Sequence, residues 1–156
     1  VCLAVPLYEQ LELLKKNKVA VVCGILSGTL ASLTGIFVLC MLFGFNHQQY
    51  VTMLPKSITT AIGIGISEEL GGIVTITVAV IIITGILGNV IADTVFHIFK
   101  IKNPLAKGLA LGTASHAIGT ARAIEMGPVE GAMSSLAVAV AGLLTVVFVS
   151  GFAQLI

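Results

Sequence analysis

The polar side chains of this chain that could bind or transform a ligand are gathered in two short segments, 56–72 and 112–128. The second segment contains hydroxyl groups, an imidazole and a guanidinium, and the first contains two adjacent threonines. A planar guanidinium binds a carboxylate through two parallel hydrogen bonds, and hydroxyl and imidazole groups add further donors. The chemistry that fits best is the binding of a small organic anion, and the predicted substrate ligands are Thr59, Thr60, Ser115, His116, Thr120 and Arg122.

Two of these residues have a second interpretation. Arg122 either clamps the carboxylate or pairs with Glu125 at the cytoplasmic edge of the membrane. Histidine has an unperturbed pKa of about 6.5, so His116 either couples proton binding to substrate binding or only bonds to the backbone. A hydrolase built on Ser115 and His116 is not expected, because adjacent helical residues do not face each other and no third acid orients them. We therefore predict that the chain is not an enzyme. The residues considered for gating or coupling are Ser67, Glu69, Glu125 and Asp93.

The two polar segments match each other along the chain. Ala61-Ile62-Gly63 corresponds to Ala117-Ile118-Gly119, 56 positions later, and Glu69 corresponds to Glu125. Interrupted segments at corresponding places in two halves are typical of transport sites. Glycines in both segments were expected to let the helix break there, which leaves free backbone N–H groups suited to an anion. The predicted break positions are Gly63, Gly65, Gly112 and Gly119.

Long apolar stretches surround these segments and must position them. Residues 19–45, 73–92 and 131–156 contain no charged residue, and each can cross a hydrocarbon core of roughly 30 Å as a helix. The whole chain is 57% hydrophobic and only 10% charged, too little charge for the surface of a soluble domain of this length. The predicted fold is an all-α integral membrane protein, embedded in the lipid bilayer of the cell membrane and multi-pass.

The lysines predict the orientation of these spans. Lysines at 15–18 precede the first span and lysines at 100–107 follow the second, so the positive-inside rule places both groups in the cytoplasm. The two polar segments then enter the membrane from opposite faces as reentrant hairpins, although Lys56 does not fit this pattern. The prediction is an inverted repeat with units 19–72 and 73–128 and a final span at 131–156. The alternative is that both segments cross fully as kinked helices.

Other classes of function fit poorly. The net charge of +1 provides no field for nucleic acid, and the three cysteines are not spaced for a metal site or a disulfide framework. No cofactor and no metal are expected. The chain begins inside an apolar run, so residues 1–156 are interpreted as one transmembrane domain from the C-terminal part of a longer protein. Whether several copies associate is left open.

Several motifs also resemble a known family. Leu54-Pro55-Lys56-Ser57-Ile58-Thr59-Thr60, Ile66-Ser67-Glu68-Glu69-Leu70-Gly71-Gly72 and the run from Lys107 to Arg122 resemble the LrgB/CidB family of bacterial membrane proteins. The chain is also similar to the C-terminal part of plastid glycolate/glycerate translocators. Ala61 stands where the family often has proline. The resemblance implies one of two roles. The first is transport of small monocarboxylates such as pyruvate or glycolate. The second is antiholin-like modulation of murein hydrolase export and autolysis, with a small LrgA-type membrane partner.

Overall fold

Every regular element that the structure describes is a helix. The computed structural model describes residues 4–156, and Cys2 lies outside this range. Cys23 is exposed and Cys40 is buried, both as free thiols. The helices, in chain order, are α1 (Ala4–Glu9), α2 (Leu11–Lys16), α3 (Lys18–Phe43), α4 (His47–Met53), α5 (Thr60–Glu69), α6 (Val74–Ile98), α7 (Pro104–Met126) and α8 (Pro128–Ala153).

Three of these helices are long and apolar enough to cross a membrane. They are α3, α6 and α8, with 26, 25 and 26 residues, and they confirm the three predicted spans to within a few positions at most ends. α3 ends where Gly44 adopts a left-handed conformation, a common way to terminate a helix. α6 continues beyond the predicted end at Ala92, because the charged residues that follow mark the membrane edge rather than the end of the helix. The all-α membrane fold is thus confirmed.

α7 reverses direction in its middle. His116 has φ 43° and ψ −139°, which no helix contains. Gly108 and Gly127, far apart along the chain, both lie against Glu130 of α8. Gly112 lies against the Ser134 backbone, while the Thr120 hydroxyl bonds to the Ser134 hydroxyl. Positions on either side of His116 therefore meet the same part of α8, so α7 is a hairpin with its tip at His116.

The two arms of this hairpin are too short to span the bilayer. The first arm is 104–115 and the second arm is 117–126. At 1.5 Å per residue they measure about 18 Å and about 15 Å, against a hydrocarbon core of roughly 30 Å. A hairpin of this length turns back on itself without reaching across a bilayer. For the second polar segment, this favours the reentrant form over the kinked crossing.

The first polar segment contains one short helix, α5, which lies antiparallel to the first half of α6. The Thr77 hydroxyl donates to the Ser67 hydroxyl at 2.8 Å, and one turn further along α6 the Ile81 side chain fills the space left by Gly63. α5 has ten residues, about 15 Å, so it too is short of a full span. Its first residue, Thr60, therefore lies near the middle of α6.

Both half-length helices begin at the same level of α6. His116 Nε2 lies 2.9 Å from the carbonyl oxygen of Ile81, and Gly85 packs against His116 and Ile118. From this level α5 runs toward the N-terminal end of α6, whereas the second arm of α7 runs toward the C-terminal end, where Arg122 meets Asp93. The two directions are opposite. A symmetry relation between units 19–72 and 73–128 stays a prediction.

The predicted breaks at glycine are wrong. All four glycines, Gly63, Gly65, Gly112 and Gly119, lie inside regular helix, and the chain departs from helix at His116 and before Thr60. Most of these glycines serve close packing instead. A Cβ on Gly112 would lie 2.5 Å from the Ser134 carbonyl oxygen and 2.7 Å from the Ala137 Cβ, so only glycine lets the first arm of α7 approach α8 this closely.

Three apolar clusters hold these elements together, and the smallest joins α6 to both arms of α7. A second joins the C-terminal halves of α3 and α8 to α4 and α5, with Tyr50 fully buried at its centre. The Tyr50 hydroxyl donates to the carbonyl oxygen of Phe152 at 2.8 Å. The third joins the N-terminal half of α3, the first arm of α7 and α8 around Met133. Both short segments are thereby fixed against full-length helices.

Candidate functional site

The tip of the α7 hairpin is a buried and satisfied polar cluster. The Thr120 hydroxyl donates to the His116 carbonyl oxygen at 2.9 Å and lies 2.8 Å from the Ser134 hydroxyl. His116 is held by the Ile81 carbonyl at 2.9 Å, and Ser115 packs into the space left by Gly88. Three of the predicted substrate ligands, Ser115, His116 and Thr120, thus lie together at the tip. Their contacts hold the tip in place, which is the second interpretation given for His116.

Thr59 and Thr60 lie at the start of α5 and are half-buried. Thr59 is extended, with φ −66° and ψ 145°, and its side chain makes no capping bond to α5. Both residues lie where a helix begins, near the middle of α6. The tip residues of α7 lie at the same level of α6. Their role as substrate ligands stays a prediction.

Arg122 lies at the exposed end of the second arm and has two carboxylate partners. Its guanidinium pairs with Asp93 of α6 and, at 2.7 Å, with Glu125 one turn along the same arm. The Glu125 contact is the alternative that the sequence left open, and the contact with Asp93 was not foreseen. With two carboxylates already bound, this guanidinium has little capacity left for a third.

The four residues considered for gating or coupling do not form one group. Asp93 and Glu125 join the Arg122 cluster, while Glu69 is exposed at the far end of α5. Ser67 is fully buried against Thr77. Two of the four therefore lie at the C-terminal end of α6 and two near its N-terminal end.

A cavity of about 790 Å³, open on one side to the surface of the described residues, lies between α3, the 54–59 turn and the first arm of α7. Small residues of α3 and α7 form its walls, and Lys56 and Ser57 lie at one end. Lys56 Nζ donates to the Ser57 hydroxyl at 3.0 Å, and the Ser32 hydroxyl of α3 lies 2.9 Å from the same oxygen. In the described part of the chain, none of the six predicted substrate ligands lines this cavity.

Sequence reasoning did not select Lys56, which lines this cavity. It was treated as a misfit in the charge pattern, since a lysine between two spans was assigned to the outer edge. The available signal was its place inside a polar segment that was already predicted to enter the membrane. Only the contact between Ser57 and Ser32, which are far apart in sequence, shows how deep Lys56 lies.

A family model described as LrgB-like matches residues 1–155. The chain belongs to the LrgB-like family. Among its LrgB-like relatives, the Antiholin-like protein LrgB of Bacillus subtilis (strain 168) is 40% identical over 156 residues, all of this chain and 68% of that protein. The Antiholin-like protein LrgB of Bacillus cereus (strain B4264) is 41% identical over 152 residues, 97% of this chain and 66% of that protein. The proteins of that name in other Bacillus strains match equally well.

These comparisons confirm the resemblance that the motifs indicated. The LrgB-like chain spans about two thirds of the length of the curated relatives it matches. The relatives carry the name Antiholin-like protein LrgB. No solved structure matches the chain.

Proposed function

We propose that this LrgB-like chain belongs to a multi-pass cell-membrane protein that carries small monocarboxylates of the size of pyruvate or glycolate. The observation that carries the proposal is the start of two half-length helices, α5 and the second arm of α7, at the same level of α6. Each helix start presents backbone N–H groups with roughly half a positive charge. Helices that begin at mid-depth in this way are a recurring feature of secondary transporters of anions.

The cavity beside these helices supports the same activity. Non-helical backbone at membrane depth is tolerated where it is buried in protein or lines a water-filled space. The 54–59 turn lines the 790 Å³ cavity through Lys56 and Ser57, and the first arm of α7 forms another wall. Thr59, Thr60, Ser115, His116 and Thr120 would then shape the path near the two helix starts. The lysines at 15–18 and 100–107 would face the cytoplasm.

The second candidate is the antiholin-like role, which the names of the relatives favour. In that role the protein modulates murein hydrolase export and autolysis together with a small LrgA-type membrane partner. Both roles are compatible if carboxylate flux changes metabolism or membrane energetics and thereby affects lysis. They differ in what the purified protein does by itself.

Uptake into proteoliposomes separates the two candidates. We expect the reconstituted protein to take up radiolabelled pyruvate or glycolate with saturation kinetics, and unlabelled substrate inside the vesicles to accelerate this uptake by counterflow. Empty liposomes serve as the control. Arg122→Gln should retain uptake, because the Arg122 cluster lies outside the cavity. If neither anion enters above the control while the protein co-purifies with a small holin-like partner in mild detergent, the antiholin-like role replaces transport.

A further inference from the structure

We infer that Lys56 is the cation that binds the carboxylate of the transported anion, inside the cavity between α3, the 54–59 turn and the first arm of α7. This inference rests on the transport activity proposed above and names the binding site for it. Lys56 belongs to none of the residue sets that the sequence suggested for binding or gating.

The first argument is depth. Ser32 lies close to the midpoint of α3, which runs from Lys18 to Phe43. Its hydroxyl is 2.9 Å from the Ser57 hydroxyl, which in turn accepts a bond of 3.0 Å from the Lys56 ammonium. Two short hydrogen bonds therefore connect Lys56 to the middle of a membrane-length helix. An ionisable side chain at this depth is expensive, and such residues usually line a substrate path.

The second argument is charge. Lys56 is the sole charged side chain among the described residues that line the cavity. The ion pairs in the described part of the chain join Arg122 to Asp93 and Glu125, and none of them includes Lys56. An ammonium partly removed from water gains most from an anionic partner. Because the described residues supply no carboxylate here, the cavity has room and net charge for a bound anion.

The third argument is the hydroxyl groups at this end of the cavity, of which Ser57 contacts the ammonium directly. Ser32, Ser57 and Thr113 line the large cavity and also a small void next to it, of about 10 Å³. A void of this size holds one water molecule when several polar groups surround it. A carboxylate has two oxygens and about four acceptor sites, so one ammonium with hydroxyls and a water can satisfy it.

The shape and charge of the cavity also indicate the class of ligand. A single lysine matches a monoanion better than a dianion such as phosphate. The remaining walls come largely from small apolar side chains, among them Ala31, Ala106 and Ala110. These walls suit a short apolar or hydroxylated tail rather than a second charged group. The ligand class is a small monocarboxylate, with water in the rest of the space.

The test compares Lys56→Gln with Lys56→Arg in proteoliposomes, using radiolabelled pyruvate as the probe. Lys56→Gln removes the charge, so we expect the KM for uptake to rise about tenfold or more, since a charge-assisted bond contributes roughly 1.5–3 kcal/mol. Lys56→Arg keeps the charge and should recover part of this loss. Lys16→Gln, at an exposed position, is the matched control and should behave as the wild type. Thermal unfolding of each variant shows whether it is folded.

The outcomes separate this inference from the transport proposal. If the wild type takes up no pyruvate, transport itself fails. If the wild type is active and folded Lys56→Gln has an unchanged KM, transport stands and the role of Lys56 is rejected. Should Lys56→Gln not fold, Ala110→Leu provides the second test, because it narrows the cavity from an accessible wall without touching a charge. Unchanged pyruvate uptake by folded Ala110→Leu would then overturn the assignment.

Discussion

Replacing Gly112 with leucine should strongly destabilise the protein. An ideal Cβ at this position lies 2.5 Å from the Ser134 carbonyl oxygen and 2.7 Å from the Ala137 Cβ. One of these atoms is backbone and the other is the end of a short side chain, so neither can move aside. Overpacking of this kind costs about 1–3 kcal/mol, and the full leucine side chain should reach or exceed the upper end. Thermal unfolding followed by circular dichroism in detergent measures the effect.

Gly35→Leu is the matched control for this experiment. Gly35 lies inside α3 with no atom within 4 Å of an added Cβ. Leucine is the better helix former, so this substitution should leave the melting temperature unchanged or raise it. Equal melting temperatures for Gly112→Leu and Gly35→Leu would show that the first arm of α7 does not pack closely against α8.

Substitutions at His116 should show an unusual order, with glycine tolerated better than alanine. His116 has φ 43°, a region that costs a residue with a Cβ about 1–2 kcal/mol and costs glycine almost nothing. Both substitutions remove the bond between His116 Nε2 and the Ile81 carbonyl, so both should be less stable than the wild type. We expect the free energy of unfolding of His116→Gly to exceed that of His116→Ala by about 1 kcal/mol.

His97 is the control for backbone conformation. It lies in the last turn of α6, is exposed, and has ordinary helical geometry. There the order should reverse, because glycine in a helix is roughly 0.5–1 kcal/mol less favourable than alanine. If His116 and His97 both preferred alanine, the chain would not turn back at His116.

The long spans were predictable because they depend on composition alone. Each is an uninterrupted apolar stretch of sufficient length, and no contact with the rest of the chain is needed to recognise it. The match between the two polar segments was also visible in the sequence, and the structure places a half-length helix start at each matched position, near Thr60 and His116.

The exact turning points were not predictable, because contacts distant in sequence decide them. Glycine is the usual residue for a break, yet here the turn occurs at His116, where the Ile81 carbonyl holds the imidazole and the Thr120 hydroxyl donates to the backbone carbonyl. The glycines were needed elsewhere, for close approach between helices. Glycine allows both a break in the helix and the close approach of another helix. The sequence does not show which of the two occurs.

The positions of the two cations in the polar segments, Arg122 and Lys56, were not predictable for a similar reason. Arg122 was the first choice for an anion site, and the structure gives it two carboxylate partners at the end of a helix. Lys56 was assigned to a membrane edge, and its contact with Ser57 and Ser32 places it at the middle of α3. Charge alone did not distinguish them, since burial and partners depend on the tertiary arrangement.

The central claim is that α7 turns back at His116, so that its second arm begins inside the membrane. Pulsed electron paramagnetic resonance between spin labels at Ala106 and Glu125, both exposed and near the two ends of α7, measures this directly. The labels are attached to introduced cysteines after the three native cysteines are replaced. A hairpin with neighbouring arms places these Cα atoms roughly 10 Å apart, and the labels below about 20 Å. A distance near 28 Å, the length of about 19 residues of continuous helix, would contradict the claim.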